Sequence, residues 1–169
     1  MSENLFPQMV HAITRNKLKL VQQTLNQGYN PDFADFDGET ALHLAIDWGH
    51  TQIVRLLVSM GASTEVTDNL DNTPLHRAVM NENDEIVSLL LKAKAQVTCR
   101  NCSRQTPLDI AKQTGNVKIQ DKLKNYRQQN ISITYIFDNL EIKPDHYLSP
   151  NQNPNNNISE ERYHCCVIA

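Results

Sequence analysis

The sequence of 169 residues has no apolar run near the roughly 18–20 residues that a membrane-spanning helix needs, so no spanning segment is expected. It has no basic excess either. Its 16 Lys and Arg stand against 19 Asp and Glu, a net charge of −3, which argues against a surface that wraps nucleic-acid phosphates. The N-terminus MSENLFPQMV lacks a basic segment followed by an apolar stretch, and position 2 is serine. Neither a secretory signal nor an N-myristoyl group is therefore expected.

Cysteine is scarce as well, with four residues at positions 99, 102, 165 and 166. This uneven placement does not fit a disulfide framework. Hydrophobic residues make up 40% of the chain and charged residues 21%, a balance typical of neither a disordered nor a membrane-embedded protein. We therefore expect a soluble protein of a reducing compartment, with about one domain's length of sequence.

A repeat of 33 residues organises the first three quarters of the chain. The strings TALHLA, TPLHRA and TPLDIA begin at Thr40, Thr73 and Thr106. Each is followed, after a short polar break, by a second apolar run, and these runs begin at Ile53, Ile86 and Val117. Within each run the apolar positions fall at i, i+3 and i+4, which predicts a helix with one buried face. Each repeat is therefore predicted to be a pair of helices.

The T-P-L-H-x-A string at this period resembles the ankyrin repeat. The resemblance implies an all-α solenoid of about four stacked helix pairs, in which the chain between pairs projects as hairpin-like fingers. A register shift of 33 residues places a degenerate first repeat before Thr40, with Met9, Ala12 and Ile13 at the positions of Leu42, Ala45 and Ile46. The predicted domain covers residues 5–127, with repeats at about 5–34, 35–67, 68–100 and 101–127.

Three residues depart from the family pattern. Asp71 and Arg104 stand where the family has a finger glycine, present here as Gly38, and Lys94 replaces the glycine found at 28 and 61. A residue other than glycine is strained at positive φ. The second and third fingers are therefore expected to be looser or differently turned than the first.

The repeat period is lost from about Gln128. Residues 131–137, ISITYIF, alternate and are rich in β-branched side chains, so residues 128–143 are interpreted as a short strand-like segment. The stretch 144–169 contains the asparagine-rich NQNPNNN, which cannot bury enough apolar surface to order itself. It is interpreted as a flexible tether.

Few residues suggest catalysis or metal binding. His43 and His76 lie in the repeat strings, where an imidazole is expected to hold backbone groups in place. The sequence shows no nucleophile with a base at a suitable spacing and no phosphate loop, so the protein is predicted not to be an enzyme and to need no cofactor. Cys99 and Cys102 form a C-x-x-C pair without a second pair, and are interpreted as reduced thiols in a finger. A metal or redox role for them remains the rival hypothesis.

Recognition of a protein partner has better support. Proteins that resemble this one bind partners through finger tips and the exposed side of each first helix. The matching positions here are Phe36, Asp37, Glu39, Asp47, Trp48, Asn69, Leu70, Asn72, Met80, Asn81, Ser103, Gln105, Gln113 and Thr114. Large apolar side chains among polar ones are the usual composition of a binding hot spot, although Phe36 and Trp48 could instead cover a neighbouring repeat.

The last four residues, CVIA, resemble a C-a-a-X prenylation box with alanine at the final position, which favours a farnesyl group on Cys166. One lipid chain binds membranes only marginally. The segment 127–164 carries no polybasic patch, so palmitoylation of Cys165 is the candidate second signal. A prenyltransferase and a membrane are thus predicted partners beside the protein partner.

These features favour a monomeric, non-catalytic adaptor that holds one protein against the cytoplasmic face of a membrane. It would remain in the cytoplasm if unmodified. An ankyrin protein with a host-type lipid box would also suit an effector of an intracellular pathogen that acts in a host cell. The alternative is a soluble inhibitor that masks a transcription-factor surface, as ankyrin inhibitors of NF-κB do; its tail would be inert.

Overall fold

A computed structural model of the protein describes residues 5–139, with side chains up to residue 129, and in this range it consists of eight α-helices. The tether predicted at 144–169, with Cys165 and Cys166, lies outside the described residues. The helices are α1 (Phe6–Thr14), α2 (Leu18–Asn26), α3 (Ala41–Asp47), α4 (Thr51–Ser59), α5 (Pro74–Met80), α6 (Asp84–Lys92), α7 (Pro107–Gln113) and α8 (Val117–Asn139). They form the four pairs that the repeat predicts.

The threonine of each repeat string sets the start of a first helix. Thr40, Thr73 and Thr106 are the N-cap residues of α3, α5 and α7, and each side chain accepts a hydrogen bond from the backbone N–H three residues later. The side chain of that third residue accepts in return from the threonine N–H, which completes a capping box. An N-cap of this kind stabilises a helix by about 1 kcal/mol, which matters for helices of only seven residues.

The helices form two layers around a continuous apolar core. The first helices, α1, α3, α5 and α7, pack side by side in one layer, and α2, α4, α6 and α8 pack in the other. Each pair contributes its apolar stripe to the space between the layers, because a single pair cannot bury that stripe alone. The largest fully buried apolar side chains are Met9, Ile13, Leu42, Ile46, Ile53, Leu57, Leu75, Ile86, Leu90, Ile119 and Leu123.

The three fingers, residues 35–39, 68–72 and 101–105, share one turn. In each, the first residue donates its N–H to the carbonyl of the last at 3.0–3.1 Å. The expectation of looser second and third fingers is wrong, because Asp71 (φ 57°) and Arg104 (φ 58°) adopt the same left-handed conformation as Gly38 (φ 77°). The side-chain oxygens of the first residues, Asp35, Asp68 and Asn101, hold the turn by accepting two backbone N–H bonds each.

The first finger needs its glycine for a second reason. A Cβ on Gly38 would lie 2.9 Å from both the backbone nitrogen and Oδ1 of Asn69 in the next finger. Such a contact is too close for a real side chain, so neighbouring fingers could not approach as they do. Glycine at this position therefore serves the packing of fingers as well as the turn.

Helix α8 differs from the prediction for the end of the domain. The strand-like interpretation of residues 131–137 is wrong, because α8 continues from Val117 to Asn139. No proline or glycine interrupts this segment, and extending an existing helix adds one hydrogen bond per residue without a new nucleus. The β-branched residues cost only some tenths of a kcal/mol each. Among the described residues, no helix combines the length and the apolar character needed to cross a bilayer.

Candidate functional site

Neighbouring fingers are joined by hydrogen bonds near their tips. The Asn69 N–H donates to the Asp37 carbonyl at 2.9 Å, and Asn69 Nδ2 donates to the Phe36 carbonyl at 2.8 Å. One repeat further along, the Cys102 N–H donates to the Leu70 carbonyl at 2.9 Å. These bonds hold the three tips in one row, so the tip side chains project from a fixed edge.

His43 and His76 connect each first helix to the following finger. The Thr40 N–H donates to Nδ1 of His43 at 3.3 Å, so the opposite nitrogen, Nε2, carries the hydrogen and donates to the Asn72 carbonyl at 3.2 Å. His76 repeats this arrangement, with its Nε2 3.0 Å from the Gln105 carbonyl. Both imidazoles are fully buried and both ring nitrogens are occupied. Their role is structural, as the sequence predicts.

The surroundings of His43 keep it neutral. Burial lowers its pKa from 6.5 to about 4, against smaller raising effects from the Asn72 carbonyl and the Asp68 carboxylate. Burial also lowers the pKa of His76. A proton added to Nδ1 of His43 would face the Thr40 N–H that donates to it. The neutral ring is therefore part of the folded structure.

One arginine connects the fingers to the first helices. Arg77 of α5 donates from Nη2 to Glu39 Oε1 at 2.6 Å, from Nη1 to Asp47 Oδ2 at 2.9 Å, and from Nε to Asp68 Oδ2 at 2.9 Å. The Asp68 side chain is only 2% exposed. Burial raises the pKa of this carboxyl, but hydrogen bonds from Asn72 and Arg77 outweigh burial and lower it below its usual value. Two fingers and the end of α3 thereby form one continuous surface.

Four large apolar side chains lie exposed on this surface. Phe36 and Leu70, at the tips of the first two fingers, are 103% and 62% exposed. Trp48, directly after α3, is 55% exposed, and Met80, the last residue of α5, is 39% exposed. Trp48 stacks on His50 of its own repeat at 6.3 Å, and Phe36, being fully exposed, covers no neighbouring repeat. The finger–helix face is defined here as Phe36, Trp48, Leu70 and Met80 with the exposed residues Asp37 and Asp47.

The other predicted binding residues divide by exposure. Those that are exposed are Asn69, Asn81, Ser103, Gln113 and Thr114. Glu39 and Gln105 are half-buried, and Glu39 is held by Arg77. Asn72 was expected to be accessible, and this is wrong: it is buried, because its amide donates to Asp68 at 3.0 Å and accepts from Asn101 at 3.0 Å. Asn72 therefore joins fingers and cannot contact a partner.

The two described cysteines lie in different environments. Cys99 is buried, with its sulfur 4.0 Å from Glu65 Oε2, whereas Cys102 is exposed, with its sulfur 3.1 Å from Asp71 Oδ2. Within residues 5–129, no three His, Cys, Asp or Glu side chains come together as metal ligands would. The described residues thus contain no set of ligands that would support metal binding by Cys99 and Cys102.

Sequence reasoning did not find Arg77. It occupies the variable position of TPLHRA, and its carboxylate partners lie 38, 30 and 9 residues away in the chain. Only the stacking of repeats brings these charges together, so no local sequence pattern predicts the ion pairs of Arg77. A usable signal would have been the single basic residue at a position filled by leucine in TALHLA and isoleucine in TPLDIA.

Comparison with known proteins agrees with this geometry. The family model described as ankyrin repeats (3 copies) matches residues 9–101 and 61–135, together well over half of the chain. The protein therefore belongs to the ankyrin-repeat family, whose members are protein–protein interaction modules and typically not catalysts. No curated protein matches the chain.

Proposed function

We propose that this protein is a non-catalytic adaptor that binds one protein partner on its finger–helix face. The supporting observation is the exposure of four large apolar side chains on a surface that hydrogen bonds make rigid. The fold leaves each of these side chains in contact with solvent, from 39% exposed at Met80 to fully exposed at Phe36. Apolar anchors among polar residues on a preorganised surface are the usual basis of strong protein binding.

The charge of the face indicates the chemistry of the partner. Asp37 is exposed beside Phe36, and the one positive charge of Arg77 faces the three carboxylates of Glu39, Asp47 and Asp68, which leaves the face with an excess of negative charge. Charge complementarity steers association and rejects unsuitable partners more than it adds affinity. The partner surface is accordingly apolar with basic side chains around it.

Two methionines give a matched test of this surface. Met80 (39% exposed) lies on the finger–helix face, and Met60 (42% exposed) directly follows α4 in the other layer. Met80→Ala is expected to weaken binding of a captured partner by about tenfold, and Trp48→Ala by more, because they remove central anchors. Met60→Ala should change the Kd less than twofold. Surface plasmon resonance with the three folded variants measures this.

The surface assignment fails if Met60→Ala weakens the complex as much as Met80→Ala does. It fails equally if the Trp48→Ala variant, shown by circular dichroism to be folded, keeps full affinity for the partner. Thermal unfolding of each variant separates lost binding from lost stability, since exposed side chains contribute little to the core.

The proposal also includes an anchor on the cytoplasmic face of a membrane. Provided that Ala169 is the last residue in the cell, the sequence CVIA offers Cys166 to a farnesyl transferase, and Cys165 beside it offers a site for palmitoylation. Two lipid signals give stable anchoring where one does not. The protein then acts in eukaryotic cytosol, either in its own cell or as a pathogen's effector in a host.

The intact mass of the protein purified from eukaryotic cells tests the anchor. The wild type and Cys165→Ser are expected to carry the mass of a farnesyl group, and Cys166→Ser is expected to lack it, because only Cys166 stands in the C-a-a-X position. An unmodified wild-type protein in the soluble fraction would overturn the anchor. That result would favour the soluble inhibitor that masks a partner surface.

A further inference from the structure

A groove of about 200 Å³ lies at the N-terminal end of the finger–helix face, between α1, α3 and the first finger. Its walls are mainly apolar and include Phe6, Val10 and Leu44. Tyr29 and Asp35, two residues with polar side chains, line the same groove. Ligand sites are usually concave and mainly apolar with a few polar groups, and this groove has that composition.

The hydroxyl of Tyr29 is the unusual group in this groove. Tyr29 is 7% exposed, and among the described residues its buried hydroxyl oxygen has no hydrogen-bond partner. Buried polar groups are normally satisfied, because leaving one without a partner costs free energy. A ligand that hydrogen-bonds to this oxygen would recover that cost.

The charge around the groove favours a cation. Asp35 Oδ1 accepts the N–H groups of Asp37 and Glu39 at 2.9 Å each. Burial, together with the negative charge of Asp35, raises the pKa of Tyr29 to about 12, so the phenol stays protonated. Arg77 forms an ion pair with Glu39, which lines the groove, but it is shared with the carboxylates of Asp47 and Asp68. The groove is thus left with an excess of negative charge.

Building on the proposed function, we propose that this groove takes a lysine side chain of the protein partner. The four methylene groups of lysine lie against Phe6, Val10 and Leu44, and the ammonium donates to the Asp35 carboxylate and the Tyr29 hydroxyl oxygen. Lysine fits better than arginine because its three donors rotate around one compact charge. The planar guanidinium has five donors in a fixed fork, and the other two polar residues that line the groove, Glu39 and Thr40, are already bound by Arg77 and His43.

A titration of the full chain followed by NMR tests the groove without the partner. The probes are Nα-acetyl-lysine methylamide and its norleucine counterpart, which ends in a methyl group, and the readout is the methyl signals of Val10 and Ile13. The lysine probe is expected to bind about tenfold more tightly than the norleucine probe, because it makes charge-assisted hydrogen bonds. Equal affinities, or shifts that do not saturate, would overturn the proposal.

Three variants locate the interaction. Asp35→Asn removes the charge but keeps an oxygen for the turn, and it should abolish most of the preference for lysine. Tyr29→Phe removes only the unpartnered hydroxyl and should weaken the lysine probe several-fold, whereas a merely structural role predicts no change. Asp121→Asn removes an exposed charge of the same sign on α8, outside the finger–helix face, and should have little effect. An effect of Asp121→Asn equal to that of Asp35→Asn would reduce the preference to general electrostatics and overturn the site.

Two further results separate this proposal from the proposed function. Pentylammonium binding more tightly than the lysine probe would assign the groove to small amines and overturn the assignment to a protein side chain. Asp35→Asn should weaken partner binding by about tenfold, as expected for loss of a charged hydrogen bond. If it leaves partner binding unchanged while Met80→Ala abolishes it, the lysine assignment fails and the finger–helix face stands.

Discussion

Replacing Arg77 with methionine is expected to lower the free energy of unfolding by about 3 kcal/mol, because the loss of one partner leaves the buried Asp68 charge without compensation. Asp68, with its side chain 2% exposed, would keep its negative charge beside Glu39 and Asp47. Methionine has similar length and fills the same space, so the change reports mainly on charge. Urea unfolding followed by circular dichroism measures the difference.

Arg55 supplies the matched control for this experiment. It lies 3.9 Å from Glu85, and both side chains are well exposed, at 59% and 66%. Ion pairs of this kind contribute about 0–1 kcal/mol, since water screens them. Arg55→Met should therefore be nearly neutral. A loss of stability as large as that of Arg77→Met would show that the buried cluster has no special part in joining the fingers to the first helices.

The stability of the protein is expected to fall as the pH is lowered from above 6.5 to about 4. The pKa of His43 is about 4 in the folded protein and 6.5 when unperturbed, so between these values the unfolded chain binds more protons. The free energy of unfolding therefore increases with pH between about 4 and 6.5, and the contribution of His43 is fully present above 6.5. The shift in the pKa of His43 corresponds to about 3 kcal/mol of stability. The pKa of His76 is also lowered, so His76 changes stability in the same direction.

The neighbours of His43 do not reverse this trend. Asp68, Asp47 and Arg77 are the charged groups near the ring, and the pKa of Asp68 lies below its usual value, so it stays ionised through most of the window. His43→Gln provides the comparison, because glutamine does not titrate. Its amide oxygen can accept from the Thr40 N–H, and its amide nitrogen can donate to the Asn72 carbonyl. Unfolding free energies from pH 4 to 8 should vary less in this variant. An unchanged pH profile would mean that His43 does not titrate on unfolding.

Much of this fold could be predicted from the sequence because the repeat imposes it. Threonine recurs every 33 residues at an N-cap, and each apolar stripe then has one place to be buried, against the next pair. Asp71 and Arg104 misled the prediction, since glycine at positive φ is a preference and not a requirement. The Asx-type bonds of Asp68 and Asn101 hold the turn without it.

The candidate site was less predictable, for physical reasons. Exposure of Trp48 and Leu70 followed from the repeat register, which fixes the side of the helix or finger on which each residue lies. The Arg77 cluster and the Tyr29 groove depend on contacts between residues far apart in sequence, where spacing carries no information. Asn72 shows the opposite error: a polar residue in a finger is not necessarily a surface residue, because fingers also bind each other.

Oxidative footprinting of the complex with a captured partner tests the central claim most directly. Tryptophan and methionine oxidise readily, and the chain has a single tryptophan, Trp48, with Met80 on the finger–helix face and Met60 in the other layer. Binding on the finger–helix face predicts that the partner protects Trp48 and Met80 and leaves Met60 as reactive as in the protein alone. Protection of Met60, with Trp48 and Met80 oxidised at their unbound rates, would contradict the account.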